Sequence, residues 1–163
     1  MQISLKWINE LVDIKEINLN NLIEKLTFGG FEVEEILEIK IDNKKEIVLD
    51  ISATANRSDS LSIQGISTEI AALLDKPINI STYSIKFRNW NKIILDNTTN
   101  FPKDHDCSIF SSIVVENLTD TSVPKWITQK LLSSSLTPSN DLLDFQNYIL
   151  LETGYPFLFY DFD

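Results

Sequence analysis

Across 163 residues the chain carries 14 lysines and arginines against 24 aspartates and glutamates, a formal net charge of −10. That balance opposes broad phosphate binding, which needs a basic face, while 43% hydrophobic and 23% charged residues fit one ordinary globular domain or two small ones. The sequence has no apolar run of about 18 residues to span a membrane and no signal- or transit-type start, and its single Cys107 cannot form an internal disulfide, which fits a reducing compartment.

Ser4 is placed to cap a helix whose apolar face is Trp7, Ile8, Leu11 and Val12. Asn18 or Asn20 can cap a second helix with Leu22, Ile23 and Leu26 inward, and Gly29-Gly30 stops it. Phe31, Val33, Leu37, Ile39 and Ile41 then occupy odd positions, with Glu32, Glu34, Glu38 and Lys40 between them. This alternation predicts a half-buried strand, with Glu35 and Ile36 as its exceptions. Asp42-Asn43-Lys44-Lys45 reads as a polar turn, and Ile47, Leu49 and Ile51 alternate again, so a hairpin is expected.

Asp59 or Ser60 can cap a helix that turns Ile63, Ile66, Ile70, Leu73 and Leu74 inward. Gly65 inside it costs about 1 kcal/mol relative to Ala, so a close helix contact is expected there. Pro77 closes this first unit. Residues 78–106 are rich in Asn and Ser, with a candidate strand at Lys92–Asp96. Cys107–Asn117 reads as a strand and Val123–Ser134 as a helix with Trp126, Ile127 and Leu131 on one face, Pro124 suiting its first turn. A last helix is capped by Asp141, carries Asp144 in its first turn and runs into Gly154; Pro156 then opens an aromatic strand that ends at Asp161. The expected organisation is 1–77 as an N-terminal α+β domain, 78–106 as linker and first strand region, and 107–163 as the front of a second α+β domain.

Several residues invite a chemical role. His105 and Cys107, with Asp104 and Asp106, lack any recognised zinc spacing, and a solvated loop entering a strand accounts for them. Asp141, Asp144, Asp161 and Asp163 could pair as catalytic carboxylates, but a helix cap and first turn explain the first two more simply. Asn56-Arg57-Ser58-Asp59 either makes a tight strand-to-helix turn or offers Asn56, Arg57 and Asp59 as a contact to RNA or to another domain. No Gly-rich phosphate loop is present.

Three stretches, in order, resemble the beta subunit of bacterial-type phenylalanyl-tRNA synthetase. The start, Met1-Gln2-Ile3-Ser4 through Trp7, Glu10, Val12 and Asp13, is the first. Leu49-Asp50-Ile51 with Thr54, Asn56, Arg57, Asp59, Leu61, Ser62, Gly65 and Ile66 is the second. Asp144, Asn147, Tyr148, Leu151, Glu152, Gly154, Pro156, Tyr160 and Asp161 keep the frame of the third, where Gln146 stands in place of the family's Thr and Leu158 in place of its His. The resemblance implies an α+β fold: a small winged-helix-like N-terminal domain, then the first part of an editing-type (B3/B4-like) domain. It also implies that the tRNA-binding insertion of oligonucleotide-binding fold, which many members carry near residues 42–45, is missing.

The family joins phenylalanine to its tRNA with ATP and magnesium, on the alpha subunit, in an assembly of two alpha and two beta chains. The resemblance therefore implies an alpha-subunit partner, tRNA(Phe) reached through the complex, no membrane, no catalytic residue and no bound ATP or magnesium in this segment. The family's editing pocket removes wrongly attached tyrosine, because an apolar pocket rejects an added hydroxyl only weakly. With Gln146 and Leu158 substituted and only Asn147 retained, that pocket is expected to be degenerate. Family members continue beyond the position of Asp163, so a fragment, a split product or a decaying copy all fit, and residues 85–163 alone are expected to be marginally stable. A docking module for protein or nucleic acid, or a free-standing deacylase of mischarged tRNA, are the alternatives. The abundance of Asn, Ile, Lys and Ser fits an AT-rich genome, and the expected compartment is the plastid stroma, or alternatively a bacterial cytoplasm.

Overall fold

A three-stranded antiparallel sheet, ordered β1-β3-β2, organises the chain. The structure, a computed structural model, describes residues 1–80, 115 and 118–161. Met1–Ser81 and Ser122–Phe159 make one compact unit; the described part of the other unit, Thr82–Thr121 with Tyr160–Asp163, contains no helix or strand. The candidate strands at Lys92–Asp96 and Cys107–Asn117, and the His105–Cys107 loop, lie outside the described residues or nearly so.

The chain opens with β1 (Gln2–Ser4), a short strand that the sequence did not announce, and turns at once into α1 (Leu5–Leu11). Ser4 serves both: its backbone pairs with β3 opposite Val48, and its hydroxyl accepts from Trp7 N. Asn18 caps α2 (Leu19–Phe28) by accepting from Asn20 N. Gly30, at φ 88°, carries the chain away from that helix in a conformation that other residues adopt only under strain.

The hairpin forms as expected, from β2 (Phe31–Ile41) and β3 (Lys44–Ala53). Its turn is shorter than the sequence suggested. Asp42 and Asn43, at φ 50° and 61°, make a two-residue turn whose twist matches the strands, and Lys44 and Lys45 already belong to β3.

A bulge corrects the expectation of one apolar face on β2. Val33 pairs with Ile51, but Glu35 pairs with Asp50, so Glu34 is an extra residue. Cross-strand partners share a face. Phe31 and Val33 therefore lie with Ile51 and Ala53, whereas Leu37, Ile39 and Ile41 lie with Val48, Glu46 and Lys44 on the opposite side. The unbroken odd-number pattern in the sequence thus serves two faces, and Glu35 and Ile36 fall where it switches.

The main core lies on the Leu49–Ile51 face. Ile3, Trp7, Ile8 and Val12 meet Leu22 and Leu26 from α2, and Ile63, Ile66, Ile70 and Ala71 from α3 (Ile63–Leu74). Each fully buried aliphatic side chain contributes roughly 1.5–3 kcal/mol. The cap of α3 is Ser62, which accepts from Gly65 N. Asp59 and Ser60, the expected caps, are instead spent in a 3₁₀ turn at Ser58–Ser60. Gly65 is tight as expected, though against that turn and not against another helix: a Cβ there would stand 2.1 Å from the Asp59 carbonyl oxygen.

Two helices follow, α4 (Lys125–Ser133) and α5 (Leu142–Thr153). Ile127 and Leu131 are buried on α4, which packs on β1 and β2, while Trp126 is 49% exposed and not part of a buried face. Asp141 caps α5 by accepting from Leu143 N, and Gly154 ends it at φ 80°. Buried Asp144 gathers Ser139 N, Ser139 Oγ and Asn140 N at 2.9, 3.0 and 2.9 Å. The aromatic segment from Pro156 to Asp161 does not form the expected strand. A strand exists by its ladder, and no described residue pairs with this one.

Candidate functional site

The spacing Leu143, Gln146, Asn147, Leu150 follows one stripe of α5. Leu143 and Leu150 are 48% and 46% exposed, and Gln146 and Asn147 lie half-buried between them. The chain folds back onto this stripe after Pro156: Gln146 Oε1 accepts from Phe159 N at 3.0 Å. Leu158 is exposed, and Phe157 and Phe159 meet edge to face at 4.9 Å. The two substituted positions are therefore neighbours, joined through one backbone bond. Gln146 supplies an acceptor to the protein itself, and Leu158 has no hydrogen-bonding atom beyond its backbone.

Arg57 stands at the opposite end of the sheet from the hairpin turn. Its Nε and Nη2 donate to the two oxygens of Asp59 at 3.2 and 3.1 Å, and Nη2 reaches Glu69 Oε1 at 2.6 Å. The guanidinium also lies over Phe31, 5.2 Å from the ring centre. Hydrogen bonds donated to Asp59 first, then to Glu69, raise the Arg57 pKa still further, and Arg57 in return lowers that of Asp59. Asn56 is exposed and accepts from Thr54 Oγ1 at 2.7 Å. Arg57 and Asp59 thus come together while Asn56 bonds Thr54 instead, and Arg57 ties the strand-to-helix turn to α3.

A third constellation escaped the sequence. Lys130 Nζ lies 4.7, 5.5 and 5.6 Å from the ring centres of Trp7, Trp126 and Tyr148 and donates to Glu10 Oε2 at 2.7 Å. Tyr148 stacks on Trp7 at 5.7 Å and takes Trp126 edge-on at 5.0 Å. Burial raises the pKa of Glu152; Lys130 opposes that shift, Glu10 adds to it, and Gln64 opposes it. Beside this cluster a small cavity of about 50 Å³ is lined by Lys6, Trp7, Glu10, Glu46, Trp126, Gln129, Lys130 and Ser133. Trp7 Nε1 is buried with no partner among the described residues. The available signal was the spacing of Trp126 to Lys130 and of Tyr148 to Glu152, each four apart and so on one helix face.

Among the described residues no group of three or more His, Cys, Asp or Glu is placed to hold a metal ion. No helix there is long and apolar enough to cross a membrane.

Comparison with known proteins places these features. Residues 106–163 match the B3/4 domain family. Over its whole length the chain is 59% identical to the chloroplastic phenylalanine–tRNA ligase beta subunit of Phaeodactylum tricornutum, covering 23% of that protein. The chain belongs to the phenylalanine–tRNA ligase beta-subunit family. The corresponding chloroplastic beta subunit of Porphyra purpurea is 38% identical over 96% of this chain and 21% of its own. The bacterial beta subunit of Oceanobacillus iheyensis is 33% identical over 82% of this chain and 17% of its own. The chain thus spans less than a quarter of the beta subunits it matches, and α4 and α5 both fall inside its B3/4 match.

Proposed function

We propose that this chain serves as part of a phenylalanine–tRNA ligase beta subunit in a plastid stroma. It would supply architecture and tRNA positioning to a complex in which an alpha subunit joins phenylalanine to tRNA(Phe). The observation that carries this is the 59% identity over all 163 residues to a protein named as the chloroplastic beta subunit. The family's assembly of two alpha and two beta chains is the proposed setting. ATP and magnesium belong to the holoenzyme in this reading. The described residues do not fit a magnesium site, so no step of the reaction is assigned to them.

Gln146, Asn147 and Leu158 are proposed as a degenerate editing position. The commitment of Gln146 Oε1 to Phe159 N supports this, as does the absence of any side-chain donor or acceptor at Leu158. Arg57, neutralised by Asp59 and Glu69, is proposed as an internal contact between turn and helix; Asn56 is the member of that motif left facing solvent. The net charge of −10 supports tRNA being held chiefly by other parts of the complex.

The test is affinity capture of the native polypeptide from its source cells, with intact mass and an assay of the captured material. Co-capture of an alpha chain with ATP-dependent charging of tRNA(Phe), and no hydrolysis of Tyr-tRNA(Phe), is the expected outcome. Capture without an alpha chain and without charging would overturn the ligase reading. Tyr-tRNA(Phe) hydrolysis that is lost on replacement of Asn147 by Ala would overturn the degenerate-pocket reading, since it would come from that pocket.

A further inference from the structure

The main core is complete before α4 begins. Its buried members all lie between Ile3 and Ala71, and from the two later helices only Tyr148 and Leu151 pack against it, both partly buried. The ties from α4 and its following loop to the N-terminal residues are largely polar. Lys130 reaches Glu10 at 2.7 Å, Lys125 reaches Asp42 at 2.8 Å, Gln129 donates to Asp42 at 2.6 Å, and Ser135 donates to Gln2. Ile127 and Leu131 are the buried apolar side chains of α4, and the buried residue of α5 is the charged Asp144. Regions joined by few buried apolar contacts open before the rest of a fold.

We propose that α4 and α5 form a detachable body, latched to α1 and the sheet by the Lys130–Glu10–Trp7 contacts, which opens as a unit while the N-terminal core stays folded. Trp126 and Tyr148 belong to the moving body and Trp7 and Glu10 to the fixed one. Lys130 therefore keeps two of its three rings when the latch opens, which lowers the penalty of leaving. Salt screens the ionic ties and leaves apolar burial in place, so ionic strength biases the latch toward open. The body lies within the B3/4-matching residues, so opening gives that segment freedom relative to the N-terminal sheet.

Hydrogen exchange read by mass spectrometry on the full 163-residue chain tests this. The wild type, Lys130→Met and the control Lys45→Met, which breaks only an exposed pair with Glu38, are compared at low and high salt. Amides of α4 and α5 are expected to exchange about 10- to 100-fold faster in K130M, with α1–α3 unchanged and the control silent. In the wild type, added salt is expected to speed the same amides, so the proposal is testable even if K130M fails to fold. A common exchange rate for α1–α3 and α4–α5 in every protein that folds, at both salt levels, would overturn the latch.

Discussion

Replacing Gly65 by Ala sets two effects of opposite sign against each other. In an unconstrained helix the change gains about 1 kcal/mol of helix propensity. Here the new methyl would sit 2.1 Å from Asp59 O, 3.0 Å from Ser60 Cα and 3.1 Å from Asp59 C. All three are backbone atoms, so no side-chain rotation relieves them. The 3₁₀ turn must retreat by about 0.9 Å to reach even 3.0 Å, the separation below which real Cβ atoms are essentially never found. That retreat moves Asp59 away from Arg57 and buried Ser60 away from its bond to the Arg57 carbonyl. Overpacking costs about 1–3 kcal/mol, and three close backbone atoms put this site toward the upper end at about 2–3 kcal/mol, so after the helix-propensity gain a net loss of about 1–2 kcal/mol is expected. Urea denaturation followed by circular dichroism measures it. Gly30→Ala is the comparison: open space surrounds that position, so any cost there arises from its φ of 88°. A G65A chain as stable as wild type or more so would refute the close-approach reasoning.

Asp144→Ala leaves Ser139 N and Asn140 N without their acceptor, while Ser139 Oγ keeps Asp141 Oδ1 at 2.6 Å, and a loss of about 3 kcal/mol is expected in the same denaturation assay, with Asp144→Asn milder. Ser62→Ala removes the α3 cap and should lower stability by about 1 kcal/mol, whereas Asp59→Ala should leave the α3 N-terminus intact; helical content near the midpoint distinguishes them. Burial holds the carboxyl of Glu152 above its ordinary pKa in a setting shared with Lys130, Glu10 and Gln64. The folded state therefore binds that proton more tightly than the unfolded one, and ionisation opposes folding at neutral pH. The opposition fades as pH falls through the folded pKa and is gone below the unfolded value. Glu152→Gln should accordingly stabilise the chain at about pH 7 and lose its advantage near pH 4. Asp42, Asp50, Asp59 and Asp141 have lowered pKa values and act with the opposite sign in both proteins, so they cancel in the difference.

Local chemistry made much of this fold legible. Ser4, Asn18 and Asp141 cap helices as their side-chain oxygens predict, and the period-two run from Phe31 announces its strand. Where several residues could cap, as at Asp59, Ser60 and Ser62, composition could not choose, because the winner depends on where the 3₁₀ turn leaves the chain. The bulge at Glu34 was hidden because an inserted residue changes which face a parity serves without changing the parity. For the aromatic segment after Pro156 the propensity was present but no described residue supplies a ladder partner, and no single segment encodes its partner. The α5 stripe was readable from helical spacing, whereas the Lys130 cluster draws on α1, α4 and α5, which lie far apart in the chain, the Lys130–Glu10 pair being separated by 120 residues.

The position of β2 at the edge of its sheet gives its bulge and glutamates a further consequence. Among the described residues nothing pairs with the outer side of this 11-residue strand, and such an edge would invite another copy to add on, stacking of copies being a route to insoluble fibres. Glu32, Glu34, Glu35 and Glu38 are all exposed along it, and the bulge kinks the strand between them. A second copy would meet like charges across a misregistered ladder. Replacing those four glutamates by glutamine should therefore make the isolated segment more prone to associate at high concentration.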